Sequence, residues 1–320
     1  MATTKYSQSC VFTLQTGAKV PGVGLGTWLS TGQAAYDAVM TALKTGYRHI
    51  DTAWIYGNEQ EVGRAIRDSG VKREELFVTT KLWNTFHRDP ATNLDQSLKM
   101  LGLDYVDLYL MHWPTPWRSS IGEVTKADDR EDKIFPKHDD GSFDFDTSWD
   151  FVKTWEQMQK ISKDKAKAIG VSNFSTKQIE QLLDSPTTTV TPAVNQVELH
   201  PYLPQDKLIN FCSSKGILVE AYSPLGHDKN SGFEGEQIIK RLREKYSIAT
   251  TQLLISWALW RGTPVLPKSS DPSHVVKNFE TVQLTDEDGK AIYNLIQTRK
   301  RFNNPPWNTG DNLFHDGEKN

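Results

Sequence analysis

Three polar side chains end successive apolar runs of the sequence, and a tyrosine follows the first of them. The runs His-Ile-Asp, Phe-Val-Thr-Thr-Lys and Leu-Tyr-Leu-Met-His end at Asp51, Lys81 and His112, and Tyr56 comes shortly after Asp51. A free tyrosine hydroxyl has a pKa of about 10, but a neighbouring ammonium stabilises the phenolate and lowers that pKa. A buried carboxylate would hold the ammonium charged. These residue types predict a relay Asp51–Lys81–Tyr56, in which Tyr56 protonates a developing alkoxide.

The same residues favour carbonyl reduction over other chemistries. His112 is suited to hydrogen-bond and orient a carbonyl oxygen, and the hydride would come from a cofactor. None of the residues is a nucleophile primed for acyl transfer, and they form no metal-ligand cluster, so no metal site is predicted. A single strand-end Lys or Asp is more often part of a salt bridge, and a single His is more often a core residue. The occurrence of all these groups at neighbouring strand ends makes a purely structural interpretation less favourable.

The glycine-rich stretch at 22–26 does not form a dinucleotide fingerprint. Its glycines stand at i, i+2 and i+4, whereas the fingerprint has the spacing G-x-G-x-x-G. The sequence also contains no Walker A motif, no H-E-x-x-H and no G-x-S-x-G. A cofactor site of the Rossmann type is therefore not expected.

Short apolar runs alternate with segments of helical period along the chain. Because the runs are continuous rather than alternating, they indicate a parallel sheet that is buried on both faces. Eight strand–helix units in 320 residues predict an α/β fold, the (β/α)8 TIM barrel, with a doubly wound open sheet as the alternative. The predicted strands are 23–25, 48–51, 77–81, 106–112, 168–171, 193–198, 218–222 and 265–267, and the predicted helices lie near 32–45, 58–69, 91–101, 148–163, 176–184, 205–215, 235–246 and 272–280.

Local signals support this arrangement of elements. Segments 11–14 and 19–20 are predicted as an N-terminal β-hairpin that closes the floor of the barrel. Gly46 and Gly216 are predicted as helix C-caps, and Ser175 is predicted as an N-cap.

Two segments lack strong periodicity, a long loop at 114–145 and a tail at 301–320. The loop follows the fourth strand and would lie at the C-terminal face of the barrel, where substrates of such barrels bind. We expect a single domain, 1–320, with its barrel at about 10–300.

The composition excludes several classes of protein. Hydrophobic residues make up 37% of the chain and charged residues 24%, as in ordinary globular proteins. Lys and Arg total 37 and Asp and Glu total 40, so the net charge of −3 gives no overall attraction to nucleic acid or an anionic membrane. Two cysteines exclude a disulfide framework, and neither a secretory signal nor an apolar run of about 18 residues is visible. We expect a cytoplasmic enzyme, monomeric by default, that acts on a small molecule.

A series of short motifs resembles the aldo-keto reductase superfamily. The resemblance is collinear over about residues 10–300, and segment 151–158 is most similar to the fungal glycerol dehydrogenase and aldehyde reductase branch. The motifs are Gly-Leu-Gly-Thr-Trp (24–28), Tyr-Arg-His-Ile-Asp-Thr-Ala (47–53), Thr-Lys-Leu-Trp (80–83), Leu-Met-His-Trp-Pro (110–114), Gly-Val-Ser-Asn-Phe (170–174), Val-Asn-Gln-Val-Glu-Leu-His-Pro (194–201), Ala-Tyr-Ser-Pro-Leu-Gly (221–226) and Leu-Pro-Lys-Ser-Ser (266–270).

This resemblance implies NADPH bound in extended form at the C-terminal mouth of the barrel. It also implies that Asp51, Tyr56, Lys81 and His112 form a catalytic tetrad in which Tyr56 is the acid. The contacts that the resemblance implies run along the cofactor from the nicotinamide to the adenosine. Beside the nicotinamide would lie Thr27 and Trp28, at its carboxamide Ser172, Asn173 and Gln196, and stacked on its ring Tyr222. At the pyrophosphate would lie Ser223 and Leu225, and at the adenosine 2′-phosphate end Lys268, Ser269, Ser270, His274 and Asn278.

The adenosine end departs from the family at one position. The family usually has an Arg six residues after the lysine that corresponds to Lys268, whereas this chain has His274. Histidine is mostly neutral at pH 7 and lacks the bidentate fork of Arg. Lys277 lies close enough along the chain to replace some of that charge. We expect a preference for NADP(H) that is weaker than in relatives with the Arg.

Tryptophans accompany the tetrad motifs. Trp28, Trp54, Trp83 and Trp113 are expected to wall a substrate pocket, since indole supplies rigid apolar area, although barrel-mouth packing is the alternative for each. The charged residues of the long loop are expected to be solvated, and they include Arg118, Lys126, Asp128, Asp129 and Arg130.

The leading hypothesis is a reductase of aldehydes, especially short sugar aldehydes such as glyceraldehyde or erythrose, that can also run in reverse as a polyol oxidase. One alternative is a regulatory subunit that senses redox state through a bound cofactor and turns over slowly. A second alternative is an isomerase or aldolase that uses Lys81 as a Schiff-base amine.

Overall fold

The computed structural model describes residues 3–118, 134–226, 231–295 and 299–307, and within them the strands form one hairpin and one larger parallel sheet. The larger sheet has eight strands in the order of the chain, each hydrogen-bonded to the next. The strands are β1 Val11–Thr13, β2 Lys19–Pro21, β3 Leu25–Gly26, β4 His49–Asp51, β5 Phe77–Leu82, β6 Val106–Met111, β7 Ala166–Ser172, β8 Val194–Glu198, β9 Leu218–Tyr222 and β10 Val265–Leu266.

The first and last strands of the sheet meet and close it into a barrel. The backbone N–H of Gly24 donates to the Val265 carbonyl at 2.9 Å, and that of Gly26 donates to the Pro267 carbonyl at 3.0 Å. Parallel bridges also join Val23 to Val265 and Gly26 to Lys268. The predicted (β/α)8 barrel is confirmed, and the alternative of an open doubly wound sheet is wrong.

Most of the described helices lie between the strands, with one before the first strand and two after the last, and most match a predicted segment. They span Thr3–Ser9, Gly32–Thr45, Glu59–Asp68, Pro90–Leu101, Phe151–Met158, Thr176–Leu183, Asp206–Ser214, Gln237–Tyr246, Thr250–Trp260, Pro272–Asn278 and Asp286–Tyr293. None of them is both long and apolar enough to cross a membrane.

The helix Thr250–Trp260 is the largest element that the sequence prediction missed. Its residues are buried on almost every side, from Gln252 through Leu259. A helix that is apolar all round carries no amphipathic period, so periodicity cannot reveal it. Helices Thr3–Ser9 and Asp286–Tyr293 were also not predicted, and each is only about two turns long.

The predicted caps are largely observed. Ser175 accepts a hydrogen bond from the Gln178 N–H and Gln178 returns one to the Ser175 backbone, which is a complete capping box. Gly46 adopts a φ of 116° and its N–H bonds the Ala42 and Leu43 carbonyls. This left-handed conformation favours glycine because it has no Cβ.

The hairpin β1–β2 closes the lower end of the barrel, as predicted. Its Leu14 and Val20 pack with side chains from inside the barrel in a small apolar cluster that includes Phe77, Leu108, Leu110, Ala168, Ala193 and Val194. A much larger apolar layer lies between the strands and the helices. Above the small cluster the barrel interior is lined by polar side chains. The candidate site lies there, at the carboxyl ends of the strands.

Candidate active site

Lys81 lies at the centre of a buried hydrogen-bond network at the mouth of the barrel. Its ammonium Nζ donates to Asp51 Oδ1 at 2.6 Å, to the Thr52 carbonyl at 2.9 Å and to the Tyr56 hydroxyl at 3.4 Å. The three donors of a lysine ammonium are thereby all engaged. Since β4 and β5 are neighbouring parallel strands, Asp51 and Lys81 meet at the same end of the sheet.

The charge of Lys81 is maintained by its partners. Burial lowers the pKa of Lys81, but the charges and acceptor atoms of Asp51 and Tyr56 more than offset this, and the pKa lies above its ordinary value. A Schiff-base mechanism would need Lys81 as a neutral amine. The contacts of Lys81 therefore do not favour the isomerase or aldolase alternative.

Tyr56 is held beside Lys81 by a short 3-10 turn, Trp54–Tyr56, which ends at Gly57 with a φ of 67°. Burial raises the pKa of Tyr56, the charge of Lys81 lowers it, and the net direction is upward. Lys81 thus acts on the hydroxyl in the predicted direction. Desolvation of the phenolate is the larger effect in the protein by itself, so the net pKa stays above the ordinary value.

His112 follows β6 directly and faces Tyr56. The two rings meet edge to face with their centroids 5.8 Å apart, and the ring of Trp83 meets His112 in the same manner at 5.6 Å. Burial lowers the pKa of His112 well below its ordinary value, and the charge of Lys81 lowers it further. The imidazole is therefore neutral at pH 7 and has one N–H to offer to a carbonyl oxygen.

The residues expected at a carboxamide lie together on adjoining strands. The Ser172 hydroxyl donates to the Gln196 carbonyl at 2.8 Å, and the Asn173 side-chain NH2 donates to the His112 carbonyl at 2.9 Å. The Tyr222 hydroxyl donates to Asn173 Oδ1 at 2.7 Å, which holds the phenol ring at the mouth. The structure thus brings Ser172, Asn173, Gln196 and Tyr222 together beside the tetrad residues.

Thr27 and Trp28 approach Tyr56 from the loop after β3. The Thr27 hydroxyl donates to the Asp51 carbonyl at 3.0 Å, and the buried amide of Asn58 fastens the same loop by donating to the Thr27 and Ser30 carbonyls. The Trp28 ring lies 4.8 Å from that of Tyr56 and is 46% exposed. Trp28 therefore forms an accessible rim of the pocket.

The loop after β9 is fastened to the C-terminal segment. Asn303 donates from its side-chain NH2 to the Ser223 hydroxyl at 3.0 Å, and Ser223 has a φ of 49°. Leu225 is partly buried against the main apolar layer. Glu198, buried at the end of β8, accepts hydrogen bonds from the backbone N–H groups of Phe302 and Asn303 at 2.6 and 2.9 Å. These contacts hold the first part of the tail over the mouth.

The adenosine-end residues form a separate, more exposed group after β10. Lys268 Nζ donates to the Ser270 hydroxyl at 3.0 Å, and that hydroxyl also contacts the Ser30 hydroxyl at 3.1 Å. Within the part of the chain that the structure describes, Lys268 has no carboxylate partner, and burial lowers its pKa.

The other adenosine-end positions belong to the helix Pro272–Asn278 and the turn before it. The Ser269 hydroxyl is occupied locally by the backbone of Asp271, which caps this helix. His274 lies exposed in the first turn, and Asn278 is buried at the end.

Aromatic side chains line the mouth, with one correction to the predicted set. Trp54 is 1% exposed, packs against Phe86 and donates its indole N–H to the Gln96 side chain at 3.0 Å. It is therefore a core residue beneath the mouth and not part of the pocket wall. Trp83 and Trp113 do lie beside His112, with ring centroids at 5.6 and 6.3 Å.

Sequence reasoning missed two further tryptophans that pack against this wall. Trp307, in the tail, lies 5.2 Å from Trp117, 6.0 Å from Trp113 and 6.2 Å from Trp83, measured between ring centroids. Trp117 belongs to the long loop after β6, and both residues stand in segments without periodicity.

Of the charged loop residues, Arg118 is exposed and pairs with Asp144, whereas Lys126, Asp128, Asp129 and Arg130 lie outside the described residues.

Comparisons with known proteins agree with this geometry. A model of the aldo/keto reductase family matches residues 22–297. The chain belongs to this family. It is 50% identical to an aldehyde reductase of Saccharomyces cerevisiae over 96% of this chain and 98% of that protein, and 50% identical to a glycerol 2-dehydrogenase (NADP(+)) of the same yeast over the same shares.

More distant relatives extend the likeness to other reductases and to a solved structure. A D/L-glyceraldehyde reductase of Hypocrea jecorina is 38% identical over 96% of this chain and 95% of that protein. An aldose reductase structure from Schistosoma japonicum superimposes with a TM-score of 0.82 at 31% identity, covering 91% of this chain and 94% of that one.

This reductase is accordingly an oxidoreductase that acts on carbonyl groups of small molecules and uses a nicotinamide cofactor. The relatives are reductases and dehydrogenases, so the comparisons give no support to a regulatory subunit. Within the described residues, no group of three or more His, Cys, Asp or Glu side chains is placed to hold a metal ion.

Proposed function

We propose that this reductase converts aldehydes to alcohols with NADPH, and that Asp51, Tyr56, Lys81 and His112 are its catalytic residues. The observation that carries the proposal is the buried series of contacts from Asp51 through Lys81 to the Tyr56 hydroxyl, which ends beside a neutral imidazole. NADPH supplies a hydride to the carbonyl carbon when it is bound.

Tyr56 donates the proton that the reduced oxygen needs. Its hydroxyl already accepts a hydrogen bond from Lys81, so the phenolate left after proton transfer forms next to an ammonium. Asp51 keeps that ammonium charged and fixed by a contact of 2.6 Å. General acids placed in this manner accelerate reactions by about 10²–10⁴-fold.

His112 orients the carbonyl. Because its pKa is far below neutrality, it donates a hydrogen bond to the substrate oxygen without competing with Tyr56 as an acid. The edge-to-face contact of the two rings places the imidazole beside the phenol of Tyr56.

The described residues fit a nicotinamide cofactor that carries a 2′-phosphate. Ser172, Asn173 and Gln196 would bind the carboxamide, Thr27 and Trp28 would lie beside the nicotinamide, and the Tyr222 ring would stack on it. Ser223 and Leu225 would border the pyrophosphate. Lys268 holds a hydroxyl rather than a carboxylate, which suits recognition of a phosphate dianion, and Ser269, Ser270, His274 and Asn278 would complete that end.

The substrate class that we propose is short sugar aldehydes such as glyceraldehyde and erythrose, with polyol oxidation as the reverse reaction. Support comes from the relatives named as aldehyde, glyceraldehyde and glycerol enzymes. Trp28, Trp83 and Trp113 would give the substrate a rigid apolar wall beside the polar groups of Tyr56 and His112, and Trp117 and Trp307 pack against Trp83. We also propose a single-domain, monomeric, cytoplasmic enzyme.

A panel of aldehydes and ketones, assayed with NADPH and with NADH, tests this function. We expect steady NADPH consumption with glyceraldehyde and erythrose, slower turnover of ketones, and a higher kcat/KM for NADPH than for NADH. Equal values for the two cofactors would contradict the proposed preference. The absence of aldehyde-dependent turnover would contradict the proposed reaction.

A further inference from the structure

A second buried titratable pair lies beneath the contacts of Lys81, and the mechanism above does not use it. Glu220 on β9 and His49 on β4 are almost completely buried inside the barrel. Their nearest polar atoms, Glu220 Oε1 and His49 Nε2, are 3.6 Å apart, and neither has a hydrogen-bond partner among the described residues. Gly24 makes room for this arrangement, because a Cβ at that position would lie 2.8 Å from the His49 ring.

The backbone decides where the imidazole of His49 carries its proton. His49 Nδ1 lies 3.1 Å from the Pro21 carbonyl oxygen, which can only accept a hydrogen bond. Nδ1 therefore carries a hydrogen, and in the neutral ring Nε2 is a bare acceptor that faces Glu220. Two acceptors facing each other in a dry interior are unfavourable, and one proton between them removes the conflict.

Gln196 connects this pair to Asp51. Its side-chain nitrogen Nε2 donates to Asp51 Oδ2 at 2.8 Å and to Glu220 Oε2 at 2.6 Å, so both of its hydrogens are engaged. The other Asp51 oxygen accepts from Lys81. A continuous series of contacts thus runs from His49 through Glu220 and Gln196 to Asp51, and from there to Lys81 and Tyr56.

We propose that Glu220 is a positioning residue, which is protonated and, through Gln196, keeps Asp51 oriented toward Lys81 as the charged carboxylate. This inference rests on the proposed function, because it assigns Glu220 a role in the proton donation by Tyr56. A protonated Glu220 accepts from Gln196 with one oxygen and turns the hydroxyl of the other toward the bare Nε2 of His49, which lies 3.6 Å away. Gln196 is then locked with its nitrogen toward the carboxyl groups and its oxygen turned away from them.

The charges around Glu220 agree with this assignment. Burial, followed by the charge of Asp51, raises the pKa of Glu220, Gln196 and Lys81 oppose the rise, and the net pKa is about 8. Burial lowers the pKa of His49, and Asp51, the Pro21 carbonyl and Asp107 oppose that effect. At neutral pH the pair is therefore uncharged, with a protonated Glu220 carboxyl beside a neutral His49 imidazole.

Loss of that proton would place a second negative charge beside Asp51. A second charge there stabilises the protonated forms of Lys81 and Tyr56, so Tyr56 holds its proton more tightly and becomes a weaker acid. The kcat of aldehyde reduction should accordingly fall as the pH rises through about 8, the pKa of Glu220. This fall would come from a residue that touches neither substrate nor cofactor.

The variant Glu220→Gln tests the inference. Glutamine keeps an acceptor for Gln196 and a donor for His49, but it cannot ionise. We expect kcat at pH 7 to stay within about threefold of the wild type, KM to be unchanged, and the fall near pH 8 to disappear. Glu220→Leu removes both contacts, and we expect kcat to drop about tenfold at every pH while KM changes little.

A control and a direct measurement make the result decisive. Asp288→Asn removes a buried carboxyl bonded to Lys245 and Thr285, away from the barrel interior, and should keep the wild-type pH profile.

The infrared difference spectrum between wild type and Glu220→Gln should contain the band of a protonated carboxyl at pH 7. That band should be lost at alkaline pH.

Two outcomes would overturn the inference. One is a Glu220→Gln enzyme with the wild-type pH profile, and the other is a carboxylate band in place of the protonated one at pH 7. Failure of the proposed function would be recognised differently, by full turnover in Tyr56→Phe, and the infrared band does not depend on that result.

Discussion

The reacting end and the adenosine end of the candidate site are built on opposite principles. At the reacting end, Asp51 and Lys81 are buried inside the barrel, and the protein itself supplies the hydrogen bonds of the Lys81 ammonium. At the adenosine end, Lys268 is exposed and its ammonium bonds, among the described residues, to a serine hydroxyl, and His274 is exposed in the first turn of a helix. A buried charge needs a partner within the protein, whereas an exposed charge is solvated by water until its ligand binds.

This difference predicts which kinetic constant, kcat or KM, a substitution at each end should change. The reacting end is fixed before any ligand arrives, so a substitution there removes an interaction made in the transition state and lowers kcat. In the proposed function the adenosine end contributes binding that is equal in ground and transition states, so we expect a substitution there to raise KM for the cofactor. The following variants test this division, from the largest expected effect to the smallest.

The largest effect is expected for Tyr56→Phe. It removes the proposed proton donor and keeps the aromatic contact with Trp28, so kcat should fall by about 10²–10⁴-fold with the affinity for NADPH nearly unchanged. Steady-state kinetics and fluorescence titration with NADPH measure the two quantities. Tyr36→Phe, which removes a hydroxyl bonded to Asp68 outside the site, is the matched control. A large loss of NADPH affinity in Tyr56→Phe would contradict the assigned role.

An intermediate effect is expected for Lys268→Met. The change removes the cation proposed for the 2′-phosphate, and charge-assisted hydrogen bonds contribute about 1.5–3 kcal/mol, so KM for NADPH should rise by about tenfold to a hundredfold. Both kcat and the KM for NADH should change little. Lys240→Met, at an exposed helix position, controls for the loss of one positive charge. An equal rise of KM for both cofactors would break the comparison.

The smallest effect is expected for His274→Arg. A guanidinium forms bidentate contacts with phosphate and is always charged, so the ratio of kcat/KM for NADPH over NADH should rise by a few-fold. The ratio is measured at low ionic strength, where screening is weakest. Gln181→Arg adds the same charge on another exposed helix, and an equal rise in that variant would mean that overall charge, rather than position, sets the preference.

Much of the fold was predictable because the strands are short and buried on both faces. All eight barrel strands lie within the predicted segments or differ from them by one or two residues at an end, and β9 matches in full. The helix Thr250–Trp260 was not predicted, because its burial on almost every side leaves no amphipathic period in the sequence. The predicted helix 148–163 is shorter in the structure, Phe151–Met158, with Asp150 as its N-cap.

The candidate site was predictable at the level of residue types and less so at the level of environment. Neighbouring strands had to bring Asp51 and Lys81 together, and they do. The direction of the Tyr56 pKa depends on how completely the ring is buried, and sequence spacing carries no such information. Trp54 stands in the same motif as Tyr56, yet its ring turns into the core.

The order of apolar runs along the chain by itself indicated a buried parallel sheet, its hairpin and the strand ends at which the polar residues meet, because continuous apolar runs are typical of strands that are buried on both faces. Closure of the sheet was settled by the contacts between its first and last strands. Contacts between residues far apart in the sequence were decided only by the tertiary structure. Trp307 reaches the wall formed by Trp83 and Trp113, and Glu220 meets His49 across the barrel interior. Such contacts depend on which side chains share a desolvated space, and that space exists only once the barrel has closed.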